Sequence, residues 1–410
     1  MRDEIVARID GMREWAVELQ RGLVAIPALD PSSGGDGEHD KAVWLEGVLR
    51  ALPFDSIERF DAPDPRAKHG VRPNLVARVR GRSSAKTVWL MSHLDVVPPG
   101  ELSLWTGDPW TLRVKDGRLY GRGVEDNHPA AVASLLVARA FLDAGQRPPV
   151  DLALLFCADE ETGSRYGAEW LVAERSELFG RHDVFLVPDA GNPEGTLLEV
   201  AEKSIWWIKI RTVGKQCHGS TPEQGINAFR AASDLVVRLG SLYQTFATRD
   251  ELFEPPISTF EPTKKDANVP NVNTIPGDDV FYVDARVLPQ IPLADVEAEI
   301  RRLAAEVAVV HRVTITIEDV QRAEAAPGTP PQAPVVRCVA DAAQAVYGVS
   351  PRPMGIGGGT VAAVFRRAGY PAVVYARLDD SAHQPDEYCV LDNLMGDAKV
   401  FALTLLATEP

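Results

Sequence analysis

Thr87-Val88-Trp89-Leu90-Met91-Ser92-His93-Leu94-Asp95 runs an apolar stretch directly into an imidazole and a carboxylate. A short apolar run of this kind predicts a strand buried on both faces. The arrangement recurs along the chain. Leu152–Cys157 leads to Asp159-Glu160-Glu161, Val184–Val187 leads to Asp189, and Ala372–Tyr375 leads to a loop holding His383. Helical segments near Pro129–Ala144 and Tyr166–Val172 lie between these strands. Asp126 stands just before the first helix, after the short stretch Arg118–Tyr120. Short buried strands alternating with helices predict an α/β domain built on a mainly parallel sheet with helices on both faces. In such a sheet the functional groups collect beyond the carboxyl ends of the strands. His93, Asp95, Asp126, Glu160, Glu161, Asp189 and His383 are therefore expected to converge on one edge.

Toward the N-terminus, apolar positions at helical spacing (Ile5, Ile9, Met12, Trp15, Ala16, Leu19, Leu23) predict one amphipathic helix over residues 4–25, ended by Pro27 and Pro31. Toward the C-terminus the rhythm changes. Strands near Ile205–Val213, Ile257–Phe260, Phe281–Val287 and Val313–Glu318 combine with helices near Ala228–Leu242 and Leu293–Ala308. This β-α-β-β-α-β order predicts a four-stranded α+β sheet with two helices on one face. Residues 203–320 are accordingly read as a domain inserted into a larger one made of 1–202 and 321–410. The Ala- and Pro-rich segment Ala323–Pro334 serves as the return linker.

At 410 residues the chain is long enough for two domains, and its 45% hydrophobic and 25% charged composition is that of a soluble globular protein. A formal charge of −15 argues against a nucleic-acid or acidic-membrane partner. No apolar run approaches the roughly 18–20 residues of a membrane span. The N-terminus lacks a basic start followed by an apolar stretch. The four cysteines form no paired motif. A reducing cytoplasm is the expected location.

The convergent residues suit a metal site. Two histidines with aspartates and a glutamate favour zinc or a similar borderline ion, with a carboxylate shared between two metals. The three carboxylates of His93, Asp126, Asp189, Glu161 and His383, set against two divalent cations, leave a small net positive charge. That balance polarises a carbonyl and lowers the pKa of a bound water toward ~7. Asp95 is placed to accept the other ring N–H of His93. Glu160, beside the ligand Glu161, is the candidate to take a proton from water and hand it to a leaving amine. Singly, each motif has an ordinary reading: a charge run, a helix cap or a loop histidine. Jointly, they point to metal-dependent hydrolysis of an amide-like bond.

These residues resemble the two-zinc metallopeptidase family that includes aminoacylases, acetylornithine deacetylase, succinyl-diaminopimelate desuccinylase and glutamate-releasing carboxypeptidases. The resemblance runs over nearly the whole chain. It implies one metal held by His93, Asp126 and Asp189, a second held by Asp126, Glu161 and His383, and a cis peptide between Asp126 and Asn127. It also implies that Glu160 is the general base, that Asp95 orients a ligand, and that the inserted domain is a lid and dimerisation module. Cys217-His218-Gly219-Ser220-Thr221-Pro222 is similar to the family segment whose histidine serves the active site, so His218 is the implied oxyanion donor. Asn273 and Arg286 resemble residues that grip a substrate carboxylate. Many relatives carry Asp-x-Lys-Gly where this chain has Asp126-Asn127-His128-Pro129, which weakens transfer of any one relative's substrate.

Gly355-Ile356-Gly357-Gly358-Gly359-Thr360 nearly spells a dinucleotide fingerprint, with Asp379 about 20 residues on. Thr360 replaces the last glycine, however, and Pro351-Arg352-Pro353 is a poor strand to precede it. Backbone N–H groups of Gly357, Gly358 and Gly359 are instead read as holding an anionic part of the substrate. The residues together with this resemblance imply a cytoplasmic dizinc hydrolase, homodimeric by the resemblance, with manganese or cobalt as alternative metals. Its substrate would be an N-acyl amino acid or small peptide with a free carboxylate. The competing readings are an N-succinyl or N-acetyl deacylase, a dipeptidase, a hydrolytic deaminase, and a non-catalytic binding protein of the same fold.

Overall fold

The computed structural model describes residues 1–410. The chain divides into two compact units, Met1–Val200 with Gly328–Pro353 and Thr360–Pro410, and Ala201–Pro327 with Met354–Gly359. The second body therefore extends a few residues beyond 203–320 at each end. It also includes the whole glycine run Gly355–Gly359, expected in the larger domain.

In the first unit, Val150–Cys157, Ser83–His93, Val184–Gly191 and Ala372–Ala376 lie side by side in that order and pair in parallel. Buried on both faces, these strands show no polar alternation, which is why their sequences read as continuous apolar runs. Trp89, Phe185, Phe365 and Val374 fill one side of this sheet. Antiparallel strands flank it, with Val71–Val79 and Ser56–Pro63 on one side and Leu197–Glu202 on the other. Arg352–Ile356 is the outermost strand, contrary to its expected poor fit as one. A proline is tolerated there because an edge position does not require every N–H.

The N-terminal segment is two helices, Arg2–Asp10 and Arg13–Val24, because the backbone breaks at Gly11–Met12. Helices His39–Arg50 and Leu391–Ala407 escape the sequence reading. The latter is buried around most of its circumference, from Leu394 through Leu405, so it carries no two-sided pattern to detect.

The second unit is a four-stranded antiparallel sheet in the order Thr259–Lys265, Asp278–Val287, Ser204–Val213, Thr314–Ala323. Buried and partly exposed residues alternate along Asp278–Val287, as one covered face requires. Ile208, Ile210, Val283 and Ala285 on that face meet Leu235 and Ile300 from helices Ala228–Leu239 and Leu293–His311.

Candidate metal centre

His93 is the last residue of the Ser83–His93 strand, and its ring is almost wholly buried. Its Nδ1 donates to the backbone carbonyl of Asp95 at 2.9 Å, which directs Nε2 outward. That Nε2 lies 2.9 Å from Asp126 Oδ1 and 3.5 Å from Asp189 Oδ1. Asp189 comes from the carboxyl-end portion of the neighbouring strand Val184–Gly191. On the far side of Asp126, His383 Nε2 lies 3.0 Å from Asp126 Oδ2 and 3.2 Å from Glu161 Oε2. The structure thus gathers His93, Asp126 and Asp189 into one three-residue group and Asp126, Glu161 and His383 into another. Within each group the ligand-type atoms lie within 4.8 Å of one another. Asp126 belongs to both through its two oxygens, and the Asp126–Asn127 peptide is cis.

Asp95 plays a different part from the one expected. Its backbone carbonyl, not its carboxylate, receives the hydrogen bond from His93 Nδ1; the nearer carboxylate oxygen is 3.5 Å away. The carboxylate accepts the backbone N–H groups of Glu160 and Glu161, each at 3.0 Å. It therefore aims the turn that presents both glutamates. The other side of that turn is held by Asp159, which adopts a left-handed φ of 64° and accepts hydrogen bonds from Tyr166 N–H and the Thr162 hydroxyl. Buried Arg72 lies 3.6 Å from Asp159 and donates to Glu38 and Asp30. Arg72, Glu38 and Asp30 went unnoticed in the sequence. The available signal was weak: charged residues inside or beside stretches otherwise expected to be buried.

Electrostatically the cluster favours cations. Burial works against a charged His93 imidazole, yet the carboxylates of Asp126, Asp189 and Asp95 beside it outweigh that and hold the pKa well above the usual value. Hydrogen bonds to Asp126 and Glu161 raise His383 to about 10. Glu160 is pushed well up by burial and by the negative charge of Asp189. Glu161 is raised as well, chiefly by burial. Its Oε1 is buried and has no hydrogen-bond partner in the protein. An orphaned carboxylate oxygen beside an imidazole and a second carboxylate fits a divalent cation, because buried polar atoms otherwise find partners.

His128 follows in the first turn of helix His128–Ala144. Its Nε2 accepts from Lys41 Nζ at 2.8 Å, and both side chains are buried. Burial lowers Lys41 to about 7 and holds His128 well below its usual value. The His128 ring sits so close to Gly123 that a Cβ there would approach Cε1 to 2.5 Å, and Gly123 also needs its φ of 85°. No larger residue fits that position.

The remaining predicted residues belong to the second unit. His218 is exposed, and its Nδ1 accepts from Ser220 N–H at 3.1 Å and faces Ser220 Oγ at 2.7 Å. Asn273 is exposed, and its backbone carbonyl receives Gly219 N–H. Arg286 donates from Nε and Nη2 to Asp284 and from Nη1 to the Gly357 carbonyl, so its guanidinium is engaged within the unit. Gly357 thus presents a carbonyl to a cation. Gly358 and Gly359 follow it, and the helix beyond is the short Ala362–Arg367.

Sequence and structure comparisons place the chain among known proteins. A metallohydrolase of Methanocaldococcus jannaschii is 37% identical over 404 residues, covering 95% of this chain and 98% of the relative. Succinyl-diaminopimelate desuccinylase of Cereibacter sphaeroides is 31% identical over 379 residues, covering 90% of this chain and 93% of that enzyme. Human carnosine dipeptidase 1 superimposes with a TM-score of 0.76 at 17% identity, over 99% of this chain and 98% of that one, a likeness of fold. Residues 89–407 match the description Peptidase family M20/M25/M40, and with a match of that extent the chain belongs to this family of hydrolases.

Proposed function

We propose that this protein hydrolyses the amide bond of an N-acyl amino acid or small peptide bearing a free carboxylate, with two divalent cations, zinc first, as cofactors. The observation that carries the reading is the pair of three-residue groups sharing Asp126, with Glu160 on the adjoining turn. His93, Asp126 and Asp189 would hold one cation, and Asp126, Glu161 and His383 the other. Bound cations supply Lewis acidity, polarising a carbonyl oxygen and acidifying water. Glu160 takes the proton from the attacking water and returns it to the leaving nitrogen. Asp95 fixes the backbone from which Glu160 projects. His218 is the oxyanion donor suggested by the family resemblance.

Within this class, an N-succinyl or N-acetyl deacylase is favoured by the 31% identity to a desuccinylase across most of both chains. A dipeptidase is the next choice. A cytoplasmic homodimer completes the reading. Four unpaired cysteines are consistent with a reducing compartment, and no helix is long and apolar enough to cross a membrane.

The deciding experiment assays N-acetyl and N-succinyl amino acids and dipeptides with zinc, manganese or cobalt, before and after chelation. Metal-dependent release of a free amine is expected. Absence of hydrolysis across the panel, or turnover indifferent to chelation, would exclude the proposal.

A further inference from the structure

Glu387 is fully buried, and it is surrounded by donors from a single loop. One carboxylate oxygen accepts from the Arg122 guanidinium and from Gly123 N–H at 3.1 Å. The other accepts Glu125 N–H at 2.8 Å and Asp126 N–H at 3.2 Å. Gly121 N–H adds a bond to the Glu387 backbone carbonyl. The loop that ends in Asp126 is therefore wrapped around one side chain. Four residues earlier, on the same turn as Glu387, stands His383. Both His383 and Asp386 hold left-handed φ values, 62° and 55°, so this turn is set by its contacts rather than by a regular element.

We infer that Glu387 is the positioning residue of the second cation site, fixing Asp126 and His383 relative to each other through Asp126 N–H and the shared turn. This rests on the two-cation reading above. The first group takes its placement from the sheet, because His93 and Asp189 come from adjacent paired strands. His383 is half exposed and sits on an irregular loop. Glu125 adds a second tie, accepting Asp379 N–H at 2.6 Å, but only Glu387 takes the N–H of the ligand Asp126 itself. A buried carboxylate with four donors is well suited to this task. Replacement by an amide brings an NH₂ group against N–H donors and removes acceptor capacity.

The test titrates metal-free wild-type and Glu387→Gln protein with zinc by calorimetry and with cobalt by visible absorption. Wild type is expected to take up two equivalents. In Glu387→Gln one class should keep its affinity within about threefold, while the other weakens about 10–100-fold, the range for loss of an outer-shell partner. Equal affinities in wild type and variant, or equal weakening of both classes with a lowered melting temperature, would overturn the inference and leave the two-cation reading standing. A wild type that binds no divalent metal would bring down both. Should Glu387→Gln not fold, Glu387→Asp, which keeps the charge but shortens the reach, is measured in the same way. Failure of both to fold would assign Glu387 to stability alone and reject the proposal.

Discussion

His93 with Asp189 and His383 with Glu161 flank the same aspartate, yet they are built on opposite principles. The first pair stands on adjacent, hydrogen-bonded strands, and its histidine side chain is 1% exposed; in the second, the histidine side chain is 52% exposed and sits on a loop. Their tethers differ accordingly. The first group is joined by a neutral amide: Asn127 Oδ1 accepts His93 N–H at 3.2 Å, while Nδ2 donates to Asp189 and to the Pro188 carbonyl. The second relies on buried carboxylates, Glu125 and Glu387. A sheet edge already supplies position, so a modest hydrogen bond suffices to align its side chains. A loop supplies none, and buried carboxyl groups gather its N–H groups.

The largest effect is expected where neither group is touched. Glu160→Ala should lower turnover about 10²–10⁴-fold, the usual worth of a positioned acid–base group. Both metal equivalents should remain, as checked by metal analysis of the variant. Loss of metal in Glu160→Ala would place that residue among the ligands and blur the division between the groups. Next come the histidines, compared in metal-free protein. His93→Ala removes one partner of a buried charged cluster and should cost about 3–5 kcal/mol, seen as a clear drop in melting temperature. His383→Ala removes a half-exposed partner and should shift stability by less than ~1 kcal/mol. Each should lose metal. Equal thermal losses would show that the two groups are equally integrated into the fold.

This contrast also explains what the sequence could disclose. The strand-end residues His93, Asp189 and Glu161 were legible because apolar runs mark where buried strands stop. The family resemblance then ordered them around Asp126. Glu387, Arg122 and Arg72 were not legible in this way: each is a charged residue whose partners lie far away in sequence, with nothing local to mark it as buried. Asp95 illustrates an intermediate case, in which proximity to His93 was correct but the carboxylate turned toward Glu160 and Glu161. Among the elements, central strands and most amphipathic helices declared themselves, His39–Arg50 excepted. The edge strands and the enclosed helix Leu391–Ala407 did not, because edge strands bury too little and the enclosed helix too much for periodicity to register.

Asn127→Ala probes the strand-borne tether. It leaves His93 N–H and the Pro188 carbonyl short of a partner and should weaken the His93–Asp189 cation about 10–100-fold, sparing the other. The mirror image of the Glu387→Gln pattern is the expected result in the same titration. Identical patterns in the two variants would mean that the cations bind as one cooperative unit rather than at separately tethered positions.

The last expected effect, read from pH dependence alone, lies at the base of the His383 loop. Asp397, in the enclosed C-terminal helix, accepts Arg377 N–H at 3.0 Å and the Tyr347 hydroxyl at 2.8 Å. Burial pushes its carboxyl up to about 7, against the pull of these hydrogen bonds. The folded carboxyl therefore keeps its proton between about pH 4 and 7, while the unfolded one releases it near 3.8. In that window the folded state binds more protons, so this residue's contribution to stability declines as pH rises and is lost on passing about 7. Asp397→Asn cannot titrate. Melting temperatures measured from pH 4 to 8 should fall more steeply with pH in wild type than in the variant, by a few degrees at most, with the difference flattening above pH 7. Parallel curves would show that Asp397 is ionised throughout, making it a charged acceptor rather than a neutral one.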